Sequence, residues 1–198
     1  MTPSRRFVVA SFFAAIALSA LCNSIFSIID SSFGDQPRPL NVVALLYSVS
    51  LAMFMIKYFV DDVIDDRHDD SERITRNSLA LMVVAWTLFI LSALFAKDVF
   101  MSAVCWAAGL ASITVFLYRN RKLVEHHARL YLTENGLLLA TLVVLAVASF
   151  RASRILESPS ALATRTFPLS ALVATGLLVL LNGSYFIVML RDDTKPRQ

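Results

Sequence analysis

The sequence predicts an all-α membrane protein: a polytopic bundle of about six transmembrane helices with both termini in the cytoplasm. Three observations carry this expectation. Of 198 residues, 57% are apolar and only 17% charged, against about 25% charged in an ordinary soluble domain. The apolar residues arrive in runs of about 20, the length a helix needs to cross a hydrocarbon core of about 30 Å. Lysine and arginine gather at alternate ends of those runs, as the positive-inside rule requires. A secreted disulfide scaffold, a disordered chain, a coiled coil and a cytosolic enzyme are excluded on the same grounds, and residues 1–198 read as a single transmembrane helical domain.

The first span is expected over residues 7–29. Arg5 and Arg6 precede it, and Ala17, Ser19 and Ala20 supply the small residues of a secretory signal, but the apolar run continues to Ile29 and favours an uncleaved helix. A link rich in turn formers, with Gly34, Pro37 and Pro39, leads to a second span at 41–60. The third, 78–96, and fourth, 99–118, are separated only by Lys97 and Asp98, so they must form an antiparallel hairpin. The fifth, 130–150, is the weakest, because Glu134, Asn135 and Gly136 interrupt it. A longer link centred on Ser158, Pro159 and Ser160 precedes the sixth span at 167–190, whose most polar deep residue is Asn182.

With both ends inside, the cytoplasmic face carries twelve basic residues: Arg5, Arg6, Arg67, Arg73, Arg76, Arg119, Arg121, Lys122, Arg129, Arg191, Lys195 and Arg197. The opposite face carries five, Arg38, Lys97, Arg151, Arg154 and Arg165. The net charge of +3 is therefore a topology signal rather than the footprint of a nucleic-acid partner, and the plasma (inner) membrane is the expected location. Lys57 lies within the second run, near enough to the cytoplasmic face to snorkel or to balance Asp61 one turn away. Cys22 and Cys105 fall inside apolar runs and read as small hydrophobes rather than a bridge.

The segment KYFVDDVIDDRHDDSERITR, residues 57–76, concentrates seven of the chain's fifteen acids between Asp61 and Glu72. If the second helix continues beyond the membrane, Asp61, Asp65 and Asp69 repeat at i, i+4, i+8, and Asp62, Asp66 and Asp70 do the same about 100° around. Like charges at that spacing destabilise a bare helix, so a cation, a basic surface or nearby arginines must compensate. The candidate metal site is Asp61, Asp62, Asp65, Asp66, His68, Asp69 and Asp70, and the candidate ion is Mg²⁺ or Ca²⁺, hard cations that prefer carboxylate oxygens.

These residues support three functional expectations. The first is a cation-handling channel or transporter with an acidic cytoplasmic mouth. The second is a membrane scaffold or regulatory subunit without transport. The third is a divalent-metal-dependent lipid phosphate or prenyl transferase, in which paired aspartates would hold Mg²⁺ against a diphosphate. The membrane CDP-alcohol phosphotransferase motif is not met, since Asp62 and Asp65 are followed by Asp66 and Arg67 rather than by Gly, Ala and Arg, and no catalytic residue is assigned. An EF-hand is not met either, for want of a glycine in the segment. The cytoplasmic group Arg119, Arg121, Lys122, Glu125, His126 and His127 reads as a salt-bridged collar or an anionic-lipid contact.

Small residues recur at helical spacing within the spans: Ser11, Ala15, Ser19, Asn23 and Ser27 in the first, Ala44, Ser48 and Ala52 in the second, and Ser102, Cys105, Gly109 and Ser112 in the fourth. Such stripes let helices approach closely, within the bundle or in a homo-oligomer or complex with a partner membrane subunit. No charge is expected near any midplane, which disfavours a proton-coupled pump.

Overall fold

The computed structural model describes the backbone of residues 5–32, 39–68, 76–119, 128–155 and 163–192, and the side-chain surroundings of residues 8, 11–30, 42–60, 80–119, 132–151 and 169–184. These residues form six helices and no strand: α1 (Arg5–Ser32), α2 (Pro39–His68), α3 (Arg76–Leu94), α4 (Val99–Arg119), α5 (Ala128–Ile155) and α6 (Ala163–Asp192). Each coincides with one of the six apolar runs and overlaps it closely.

The helices begin and end where local chemistry allows. Pro39 opens α2, where its missing N–H would have had no intrahelical acceptor. Asp98 caps α4: its carboxylate accepts a hydrogen bond from the Met101 amide at 3.1 Å, and its carbonyl accepts the Ser102 amide at 2.9 Å. The short 95–98 turn makes α3 and α4 the antiparallel hairpin that the Lys97–Asp98 link requires.

Principal packing partners close a ring in the order α1, α2, α6, α5, α4, α3 and back to α1. The outside of this ring is apolar: Phe12, Phe26, Leu169, Val173 and Leu180 are each at least 60% exposed. Helices that are hydrophobic all round and display such surfaces belong in hydrocarbon. Among the described residues four stretches are long and apolar enough to cross a membrane, namely Ser11–Asp30, Val42–Val60, Val99–Arg119 and Leu132–Arg151, with shorter apolar stretches at Ala80–Leu94 and Leu169–Ser184. The chain is thus an α-helical protein of the membrane type. The fifth run, weakest by sequence, is one of the four, because Glu134, Asn135 and Gly136 do not break it: α5 passes through them as a continuous helix of 28 residues.

The middle of the ring is filled. Trp86, Phe89, Phe54, Tyr47 and Trp106 are all at most 1% exposed. Phe54 meets Phe89 edge-to-face at 5.1 Å and Trp106 at 5.0 Å between ring centroids, the separations at which ring quadrupoles attract. The α3–α4 pair approaches closely through Gly109, where a Cβ would lie 2.5 Å from Phe89 Cε1 and 3.1 Å from the Ala85 carbonyl oxygen. The fourth-span stripe therefore does turn inward, with Ser102 and Gly109 buried, and so does the second-span stripe, with Ala44 and Ser48 buried.

The first-span stripe turns outward at its middle, while Ser11 and Ser27 at its ends are half-buried. Ala15, Ser19 and Asn23 are exposed on the outer face of α1, while Ala14, Ala17, Leu21 and Ile28 are buried and the Ser24 hydroxyl donates to the Ala93 carbonyl of α3 at 2.8 Å. Cys22 is also exposed and Cys105 half-buried, both as free thiols, so Cys22 is not the interior hydrophobe its apolar run implied.

Replacing Gly109 by Val should overpack the α3–α4 contact, because Phe89 would have to move and the Ala85 backbone could not. Overpacking a core of this kind costs about 1–3 kcal/mol. Thermal unfolding in detergent should show a lowered Tm for Gly109→Val and a parental Tm for the control Ala108→Val at an exposed position of the same helix.

Candidate functional site

Helix α2 contributes the polar side chains that cross the interior, at three levels. Nearest its N-terminal end, Tyr47 Oη lies 2.9 Å from Ser102 Oγ and 3.2 Å from Ser92 Oγ. The two serines bind each other's helix as well: the Ser102 hydroxyl donates to the Ser92 carbonyl at 2.6 Å and the Ser92 hydroxyl to the Ser102 carbonyl at 3.0 Å. All three side chains are fully buried, so this cluster joins α2, α3 and α4 with every hydroxyl satisfied, as a buried polar group must be.

One turn further on, Asn182 of α6 donates from Nδ2 to Ser50 Oγ and to the Leu178 carbonyl, both at 2.9 Å. Its Oδ1 is buried without a hydrogen-bond partner, as is Nε1 of Trp106. Asn182, the most polar deep residue expected of its span, has this interhelical role.

The third level holds the only ion pair between α2 and α5 among the described residues. Lys57 Nζ is paired with Glu134 Oε1. The lysine side chain is 1% exposed and the glutamate 18%. The next residue on each helix repeats the link: Tyr58 Oη donates to Asn135 Oδ1 at 2.8 Å. Asn135 Nδ2 in turn lies 3.4 Å from Thr114 Oγ1, which donates to the Leu110 carbonyl at 2.8 Å. Each donor in this chain passes its hydrogen bond onward in one direction, from α2 through α5 to α4, an order in which successive bonds polarise one another.

The snorkelling expected of Lys57 is therefore overturned. Its ammonium turns into the bundle because a carboxylate waits there, and a buried charge with a hydrogen-bonded counter-charge is far better placed than an unpaired one. Lys57 and Glu134 stand near the ends of the apolar stretches Val42–Val60 and Leu132–Arg151, so the interior is charged at that end. Glu134 and Asn135, read as interruptions of a weak span, are the partners of Lys57 and Tyr58. The signal that finds them is arithmetic: Lys57 is the one charge in run 41–60 and Glu134 the one charge in run 130–150.

Of the candidate metal ligands, Asp61, Asp62, Asp65, Asp66 and His68 stand on the helical backbone at the end of α2, so the helix does continue beyond Val60 at the spacing that makes a strip. Their side chains, and Asp69 and Asp70 altogether, lie outside the described residues, as do Arg121, Lys122, His126 and His127. Among the described residues no three His, Cys, Asp or Glu side chains converge.

Comparison with protein-family models, with curated proteins and with solved structures finds no match for this chain. What the protein does is therefore read from the geometry above.

A double-mutant cycle tests the pair. Removing one member of a buried ion pair costs about 3–5 kcal/mol, whereas replacing both with apolar residues is often close to neutral. Lys57→Met and Glu134→Leu should each lower stability in detergent strongly, and the double variant should recover most of the loss. Additive losses would mean that the two side chains act separately.

Proposed function

We propose that this is a small cation-handling membrane protein, a transporter or channel whose cytoplasmic mouth is the acidic end of α2. The observation that carries this reading is the Lys57–Glu134 pair. Ionisable groups within membrane helices are expensive, and where they occur they mark substrate and ion pathways. Asp61 follows Lys57 by about one turn, roughly 6 Å along the helix. In this reading Asp61, Asp62, Asp65, Asp66, His68, Asp69 and Asp70 concentrate Mg²⁺ or Ca²⁺ at the surface, and Glu134 is the next carboxylate inward. The Lys57 ammonium then acts as a tethered cation, which a free cation must displace to occupy Glu134.

The aromatic filling of the centre favours an occluded transporter over an open pore. Six spans with both termini inside, in the plasma (inner) membrane, put the acidic mouth and the basic group Arg119, Arg121 and Lys122 on one cytoplasmic face, where the latter meets anionic lipid. The chain is taken as one domain in this scheme.

A second reading has its own support. Asn23 presents an amide on the outward face of α1, between Ser19 and Ser27 and near the middle of the apolar stretch Ser11–Asp30. An amide facing hydrocarbon gains by bonding across to another helix, which favours a self-associating scaffold or regulatory subunit. A metal-dependent lipid transferase would use the same aspartates, and nothing among the described residues favours it.

Liposomes containing the protein and a Mg²⁺- or Ca²⁺-sensitive dye separate the readings. The parent should carry divalent cations. Glu134→Gln should fall to the level of protein-free liposomes, and replacing Asp61, Asp62, Asp65 and Asp66 by Asn should lower the rate and its divalent sensitivity. A parent as tight as empty liposomes would leave the scaffold reading, for which Asn23→Leu should reduce oligomer size in detergent.

A further inference from the structure

Between α5 and α6 the lipid-facing surface is indented by a groove of about 500 Å³, within the range of about 300–1,000 Å³ typical of small-ligand sites. Thr141 and Ala174, both nearly buried, lie at its floor, and the more exposed Ala140, Val144, Leu169 and Val173 form its walls. The lining is almost wholly apolar. Its threonine hydroxyl is already committed to the Leu137 carbonyl at 2.8 Å, so the groove suits a hydrocarbon chain better than a polar solute.

The α5 wall runs toward positive charge. Arg151 follows Val144 by seven residues, two turns along the same face and about 10 Å further on, and it is exposed. Arg151, Arg154 and Arg165 are three of the five basic residues on that side of the expected topology, with Glu157 as the one acid between 150 and 167. The positive-inside rule disfavours such a concentration there. A guanidinium fork matches a phosphate with two parallel hydrogen bonds.

We propose that the α5–α6 groove binds one anionic phospholipid, with an acyl chain between the helices and the phosphate on Arg151. This site lies at the opposite end of α5 from the cytoplasmic basic group and does not depend on the transport reading. A second copy of the chain is the alternative occupant that the test below separates from lipid.

The test is native mass spectrometry of the full chain in detergent, titrated with dioleoyl phosphatidylglycerol and, separately, with dioleoyl phosphatidylcholine, which has the same chains but no net charge. The parent should form a one-to-one adduct and prefer phosphatidylglycerol. Arg151→Gln combined with Arg165→Gln should erase that preference. Ala140→Leu, at an exposed position that spares the core, should weaken binding of both lipids by filling the groove, with helicity by circular dichroism unchanged. Equal binding of the two lipids to the parent would overturn the proposal. So would parental adducts in both variants, or a cross-linker at position 144 that joins two copies in place of lipid binding.

Discussion

The buried pair Lys57–Glu134 is the constraint around which the rest of the bundle is arranged. Helices α2 and α5 are not neighbours in the ring, so a link between them has to reach across its centre, and lysine with glutamate is long enough to do so. In surroundings of low dielectric neither charge is tolerable alone. Each therefore fixes the other's helix in depth and rotation, and the adjacent Tyr58–Asn135 bond repeats the constraint one residue on. A single pair could pivot, whereas two on consecutive residues set a direction.

A second polar tie at the other end of α2 completes the frame. From Tyr47 to Tyr58 is eleven residues, and from Ser102 to Thr114 on α4 is twelve, so the two clusters lie at matching depths about 17 Å apart. Between them the interior is occupied by Phe54, Phe89 and Trp106. Lipid supplies no hydrophobic drive for helices to associate, so packing and interhelical hydrogen bonds must do it. Here the polar clusters select the register and the aromatic layer between them fills the volume. The same arrangement leaves Asn182 Oδ1 and Trp106 Nε1 buried without hydrogen-bond partners.

Much of this architecture was legible in the chain, for identifiable reasons. Six apolar runs give six helices, four of them with a stretch long and apolar enough to cross a membrane, and the two-residue Lys97–Asp98 link leaves α3 and α4 no option but a hairpin. Direction was not legible. Ser11, Ala15, Ser19, Asn23 and Ser27 show the period of a helix face, but α1 packs through the neighbouring face that holds Ala14, Ala17, Leu21 and Ser24, and both faces contain small residues. Glu134 and Asn135 read as interruptions for a related reason: hydropathy prices a side chain as if it faced lipid, and these two face Lys57 and Tyr58. The acidic residues after Val60 are conspicuous in composition, and α2 continues through them as helix as far as His68.

Solid-state NMR of the protein in lipid bilayers, with ¹⁵N on lysine and ¹³C on glutamate, measures the central interaction directly. The account predicts a dipolar contact between Lys57 Nζ and the Glu134 carboxylate within ion-pair distance, about 4 Å or less, which disappears in Glu134→Gln. A Lys57 Nζ that shows no such contact and instead couples to lipid ³¹P, as a snorkelling side chain would, would contradict it.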